Sequence, residues 1–139
     1  MSRQVKGSCL CGSVRYEGEA DPAFAFCHCR DCQKATGAGY TANVAVPTER
    51  LALDGPLRTY RTQGGSGTPI ARSFCGECGS PIAIQCGGAL EGLSLVQAGT
   101  LEDASWVEPS AHIFCASAQP WDVVADNAPA FPQAPPPPQ

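Results

Sequence analysis

Seven of the nine cysteines in this 139-residue chain fall into three tight groups. Cys9 and Cys11 form a C-x-C pair followed by Gly12, Cys27, Cys29 and Cys32 form a C-x-C-x-x-C triple, and Cys75 and Cys78 form a C-x-x-C pair followed by Gly79. Thiolates are nucleophiles and soft metal ligands, and a turn that aims two of them at one point suits an ion about 2.3 Å from each sulfur. A glycine just past the second cysteine can take the left-handed conformation that closes such a turn, with backbone amides directed at the sulfurs. All-thiolate donors at tetrahedral spacing favour zinc. The odd cysteine total and the local clustering speak for metal ligation rather than a disulfide framework.

A closed structural zinc site takes four protein ligands, whereas a catalytic one holds three and leaves a position for water or substrate. The two pairs fill the first kind and the triple makes the second. Spacing alone also permits Cys86 or Cys115 to complete the triple, which would close both sites; otherwise those two residues read as small buried hydrophobes. His28 lies between two ligands, so its ring points away from an ion that they share. His112, in the apolar stretch 111–114, reads as a hydrogen-bonded, partly buried residue, and Trp121 as the anchor of the last ordered segment on the core. Arg30 and Lys34 follow the triple closely enough to meet substrate carboxylates, or are solvated surface cations. Arg61 and Arg72 flank the glycine-rich stretch 64–67, which is a connection or a lid.

The elements that must carry these groups are short. Alternating apolar and polar residues at 13–17, 40–46, 57–62 and 70–74 predict half-buried strands. Turn signals at 54–56, 64–67, 87–88 and 99–100 leave little room for long helices. The best helical stretch is 30–36, stopped by Gly37. A mainly β fold with at most one or two short helices follows. Residues 1–127 make one domain of ordinary size. Residues 128–139, with six prolines, read as a disordered, solvated tail, because proline cannot donate to a sheet or helix.

A formal net charge of -4, with no run of Lys or Arg, argues against a nucleic-acid surface. Neither a signal-type apolar stretch nor an 18-residue apolar span occurs, so the expectation is a cytoplasmic protein with no membrane partner.

The residues also resemble a known family, the glutathione-dependent formaldehyde-activating enzymes, which includes centromere protein V and has an Mss4-like fold. The resemblance rests on Gly7 to Tyr16 around Cys9 and Cys11, Cys27 to Gly37, Phe74 to Gly79, His112 to Phe114, and Pro120 with Trp121. It implies short antiparallel strands stapled by zinc knuckles, a structural zinc on Cys9, Cys11, Cys75 and Cys78, and a catalytic zinc on Cys27, Cys29 and Cys32. The implied activity is that of a carbon-sulfur lyase using two zinc ions per chain, with a small thiol such as glutathione and an aldehyde as substrates, as in reversible formation of S-hydroxymethylglutathione. Three thiolates would give the zinc centre a formal charge of -1, which suits activation of a thiol better than that of water. Two other classes stay open at this level: a non-catalytic, zinc-stabilised interaction module, and a thiol or zinc redox sensor.

Overall fold

The computed structural model describes residues 2–20, 25–65, 67–123 and 126–135. The chain is mainly β, with ten strands, one α-helix and four single 3₁₀ turns among the described residues. Among the described residues no helix is long and apolar enough to cross a membrane. Backbone contacts divide the chain into two units, one of residues 1–22 and 44–107 and the other of residues 23–43 and 108–139.

In the first unit β1 (Arg3–Ser8) and β2 (Arg15–Ala20) form an antiparallel hairpin, from Arg3 opposite Ala20 to Ser8 opposite Arg15. β5 (Leu51–Asp54) adds to the far side of β2. β6 (Leu57–Gln63), β7 (Pro69–Cys75), β8 (Pro81–Cys86) and β9 (Leu93–Gln97) follow as an antiparallel meander. Apolar residues on the inner faces make the core: Val14, Val44, Val46, Ile82 and Val96 are fully buried, each worth about 1.5–3 kcal/mol of transfer free energy. A register shift after Ser73, where Phe74 faces Pro81, bends the β7–β8 hairpin just before Cys75. Residues 64–67, weighed above as a lid or a connection, join β6 to β7, with Gly64 donating to the Thr68 carbonyl at 2.8 Å.

The second unit is smaller. β3 (Ala25–Cys27) pairs antiparallel with the start of β4 (Thr41–Pro47), Cys27 opposite Thr41, and parallel with β10 (Ala111–Ile113), Ile113 opposite Cys27. Helix α1 (Arg30–Thr36) begins directly behind β3 and stops at Gly37, whose φ of 74° is left-handed. Those bounds are the ones that the sequence predicts. β1, β3, β5, β8, β9 and β10 had no alternating signal of comparable strength: β3 and β10 have only three residues each, and β8 has a buried run, Ile82 to Ile84, in place of alternation.

The segment expected to be solvated from residue 128 onward makes backbone hydrogen bonds as far as Gln133. Ala130 bridges His112 in parallel, His112 donates to the Pro129 carbonyl at 2.7 Å, and Phe131 donates to the His112 carbonyl at 2.8 Å. Prolines there act only as acceptors, while Ala130, Phe131 and Gln133 break up the proline run and keep its backbone usable. Residues 136–139, which hold three of the four consecutive prolines, lie outside the described residues.

Candidate metal centres

The two cysteine pairs sit on two hairpin tips of the first unit. Cys9 donates its amide to the Val14 carbonyl at 3.0 Å across the β1–β2 turn, and Cys75 donates to the Ser80 carbonyl at 3.0 Å across the β7–β8 turn. Gly12 (φ 83°) and Gly79 (φ 80°) close the turns in the left-handed region, where any Cβ would be strained. Side chains bind the tips to each other: the Leu10 amide donates to Ser80 Oγ at 3.0 Å, and the Ser13 hydroxyl to the Glu77 carboxylate at 2.7 Å.

At the junction the sulfurs of Cys9, Cys11, Cys75 and Cys78 all lie within 4.8 Å of one another. Two of the separations are 3.6 Å (Cys9 to Cys11) and 3.9 Å (Cys11 to Cys75). A tetrahedron with bonds of about 2.3 Å has edges of about 3.8 Å, so the group has the size of a metal-ligand set and not of disulfides. Backbone amides face the sulfurs, Val14 N–H to Cys9 at 3.2 Å and Glu77 and Cys78 N–H to Cys75 at 3.4 Å. The Ser80 hydroxyl and amide and the Cys11 amide hold the Cys78 thiol down to about 5. Such an arrangement stabilises thiolate, the form that ligates.

Cys27, Cys29 and Cys32 form the second group, their sulfurs also within 4.8 Å of one another. β3 delivers Cys27, the helix N-cap is Cys29, and the first turn of α1 presents Cys32, whose amide donates to Cys29 Sγ at 3.3 Å. Cysteine thus fills the position that Ser or Asp usually takes. Hydrogen bonding from Cys29 and Cys32, together with burial, pushes the Cys27 thiol far up. Crowded sulfurs therefore resist ionising together unless a cation sits among them. Thr41, opposite Cys27, has the one buried side-chain polar atom without a hydrogen-bond partner among the described residues. Its hydroxyl is an unused donor on the residue paired with Cys27. Both groups fit a tetrahedral metal ion by number, size and donor chemistry.

Behind the triple the histidines are committed elsewhere. His28 is buried, with Nδ1 2.5 Å from Asp122 Oδ2 and Nε2 2.9 Å from His112 Nδ1. His112 Nε2 lies 3.0 Å from both oxygens of Asp126. Both ring nitrogens of His28 are thus engaged by groups other than the sulfurs, and His112 is more deeply buried than the sequence indicated. Three polar contacts join Asp122, His28, His112 and Asp126 in a row. Gln33 is a second hub: Nε2 donates to the carbonyls of His28 (2.9 Å) and Ser117 (3.0 Å), and Oε1 accepts from Gln119 (3.0 Å) and Arg30.

Sequence reasoning missed Asp122, Asp126 and Gln33, because no spacing relates an aspartate about 94 positions away to a histidine in a knuckle. Trp121, expected against the core, is 67% exposed, with one edge over Gly39. Cys86 and Cys115, the alternative fourth ligands for the triple, are half-buried, and neither joins either sulfur group among the described residues. Arg61 and Arg72 lie on β6 and β7 of the first unit, Tyr60 facing Arg72 across the ladder. Arg30 and Lys34 are exposed on α1 of the second.

The model of the family described as glutathione-dependent formaldehyde-activating enzyme matches residues 4–117, a span that holds all seven clustered cysteines. A Halomonas elongata protein provisionally named a glutathione-dependent formaldehyde-activating enzyme is 33% identical over 86 residues, or 58% of this chain and 55% of that protein. The match therefore spans little more than half the length of that relative. A crystal structure of a Rhodobacter sphaeroides protein aligns with a TM-score of 0.55 at 26% identity, covering 70% of this chain and 87% of that one. From the matched span and the two sulfur groups within it, the chain belongs to the glutathione-dependent formaldehyde-activating enzyme family.

Proposed function

We propose that the chain is a zinc-dependent carbon-sulfur lyase that reversibly joins a small thiol, glutathione by family, to formaldehyde. The observation that carries this reading is the triple: three sulfurs converge, and among the described residues no His, Asp, Glu or further Cys joins them. Both histidines near it have their ring nitrogens engaged by other groups.

In the reaction the sulfur-hydrogen bond of the thiol breaks, the sulfur electron pair forms the new carbon-sulfur bond, and the carbonyl π electrons move to oxygen. That oxygen takes up a proton to give the hydroxymethyl thioether. An ordinary thiol is mostly protonated at neutral pH. Zinc held by Cys27, Cys29 and Cys32 would supply the Lewis acidity that keeps a substrate thiol ionised. The chain's own contribution is to bring these three sulfurs to one place. Arg30 and Lys34, exposed on α1, are the nearest cations in sequence for the two carboxylates of glutathione. Cys9, Cys11, Cys75 and Cys78 would hold the other zinc in a closed, structural site. No disulfide joins any of the nine cysteines, which fits a reducing compartment such as the cytoplasm.

Cobalt replacing zinc gives the test, because thiolate-cobalt absorption reports each site. Two cobalt ions should bind per chain, glutathione should change the spectrum of one of them, and the loaded protein should speed formaldehyde-glutathione exchange followed by NMR line exchange. Two ions with no response to any thiol, and no gain in exchange rate, would sink the enzymatic reading and favour a closed, non-catalytic module.

A further inference from the structure

Every hydrogen-bonding group of His28 is in use. Its amide donates to the Ile113 carbonyl at 2.9 Å, its carbonyl accepts from Gln33 at 2.9 Å, Nδ1 meets Asp122, and Nε2 meets His112. The residues on either side are Cys27 and Cys29. In an extended segment alternate side chains point to opposite sides, so a fixed His28 ring fixes the side toward which both neighbouring sulfurs project. The far ends of the chain of contacts are Asp122, whose side chain is 4% exposed, and Asp126, at 42%. Both lie in the second unit but beyond residue 117, where the family match ends. The same segment is tied down a few residues later by the bonds of Pro129 and Phe131 to the backbone of His112.

We propose that this C-terminal segment is a working part of the three-thiolate site, with Asp122 and, through His112, Asp126 as positioning residues that aim Cys27 and Cys29 by holding the His28 ring. Neither carboxylate touches the ion or substrate. The segment supplies the outer hydrogen bonds of a ligand set whose sulfurs all come from six consecutive residues. This rests on the reading of the triple as a metal site, and it makes no use of turnover.

The four-thiolate group in the same chain serves as an internal reference. In the cobalt-loaded full chain, Asp122→Ala should weaken binding at the triple by about 10- to 100-fold, as loss of such outer contacts typically does. It should also shift the cobalt bands of that site while leaving those of the four-thiolate site unchanged. Asp122→Asn, whose amide oxygen still accepts from His28, should restore most of the affinity and the band positions. Asp126→Ala should give a smaller loss in the same direction. A role in fold stability alone would lower the melting temperature with the bands unmoved, and that result overturns the proposal. So does unaltered affinity in Asp122→Ala, or an Asn variant no better than Ala. If Asp122→Ala does not fold, Asp126→Ala and the band positions of Asp122→Asn decide by the same criteria. Binding of a single cobalt by the unaltered chain would instead remove the metal reading of the triple itself.

Discussion

The two sulfur groups invert each other's construction. In the first, the ligands come from far apart, Cys11 and Cys75 being 64 positions distant, and most of the groups around the sulfurs are local: the amides of Val14, Glu77 and Cys78 and the hydroxyl of Ser80. In the second, the sulfurs span residues 27–32 and, besides the local Cys32 amide and Gln33, supporting groups come from far away, Ser117 and Asp122 among them. A site of the first kind closes a long loop, so an ion bound there stabilises the folded unit by restricting its unfolded alternatives. A site of the second kind closes almost no loop. An ion bound there would add little to the fold.

Breaking each site in turn should separate these roles. The largest expected effect is on the first: Cys75→Ser removes a fully buried sulfur of the four and, on the proposed reading, should abolish the cooperative thermal transition of the first unit, or lower its midpoint by well over 10 °C, because bound zinc in such sites contributes on the order of 10 kcal/mol. Scanning calorimetry with and without a chelator measures this. Cys29→Ser should reduce turnover to the uncatalysed background while that transition stays within a few degrees; if it melts the first unit as well, the contrast between the sites is wrong.

Smaller effects sharpen the comparison. Gln33→Ala leaves the carbonyls of His28 and Ser117 without their side-chain donor and should cost about 2–3 kcal/mol in denaturant unfolding, confined to the second unit. In the first unit Tyr16 is pushed up to about 12 by burial, which the Thr100 hydroxyl only partly offsets. Its folded value lies above the unfolded one, so its contribution is complete below about pH 10 and is lost as pH rises toward 12. Stability should therefore fall by about 2 kcal/mol over that window, a slope that Tyr16→Phe removes. Spectra of the three-thiolate site should not follow it.

What the amino-acid sequence determined by itself was the local chemistry. The spacing of seven cysteines, the glycines after each pair and the glycine that ends α1 specify turns in which every participant lies within a few residues, so type and order are enough to read them. The helix bounds and the mainly β character follow from the same short-range rules. Tertiary structure alone decided what stands behind the triple. Asp122 and Asp126 are two acidic residues among thirteen, and nothing in their flanking residues marks them as partners of His28 and His112. Only the pairing of β10 with β3, and the return of residues 129–133 along β10, bring them within reach. The path of the chain also decides that Trp121 faces outward and that Pro129 and Pro132 accept backbone hydrogen bonds. A turn is fixed by the dihedral preferences of its own residues, whereas a buried carboxylate-imidazole contact depends on where two distant segments meet.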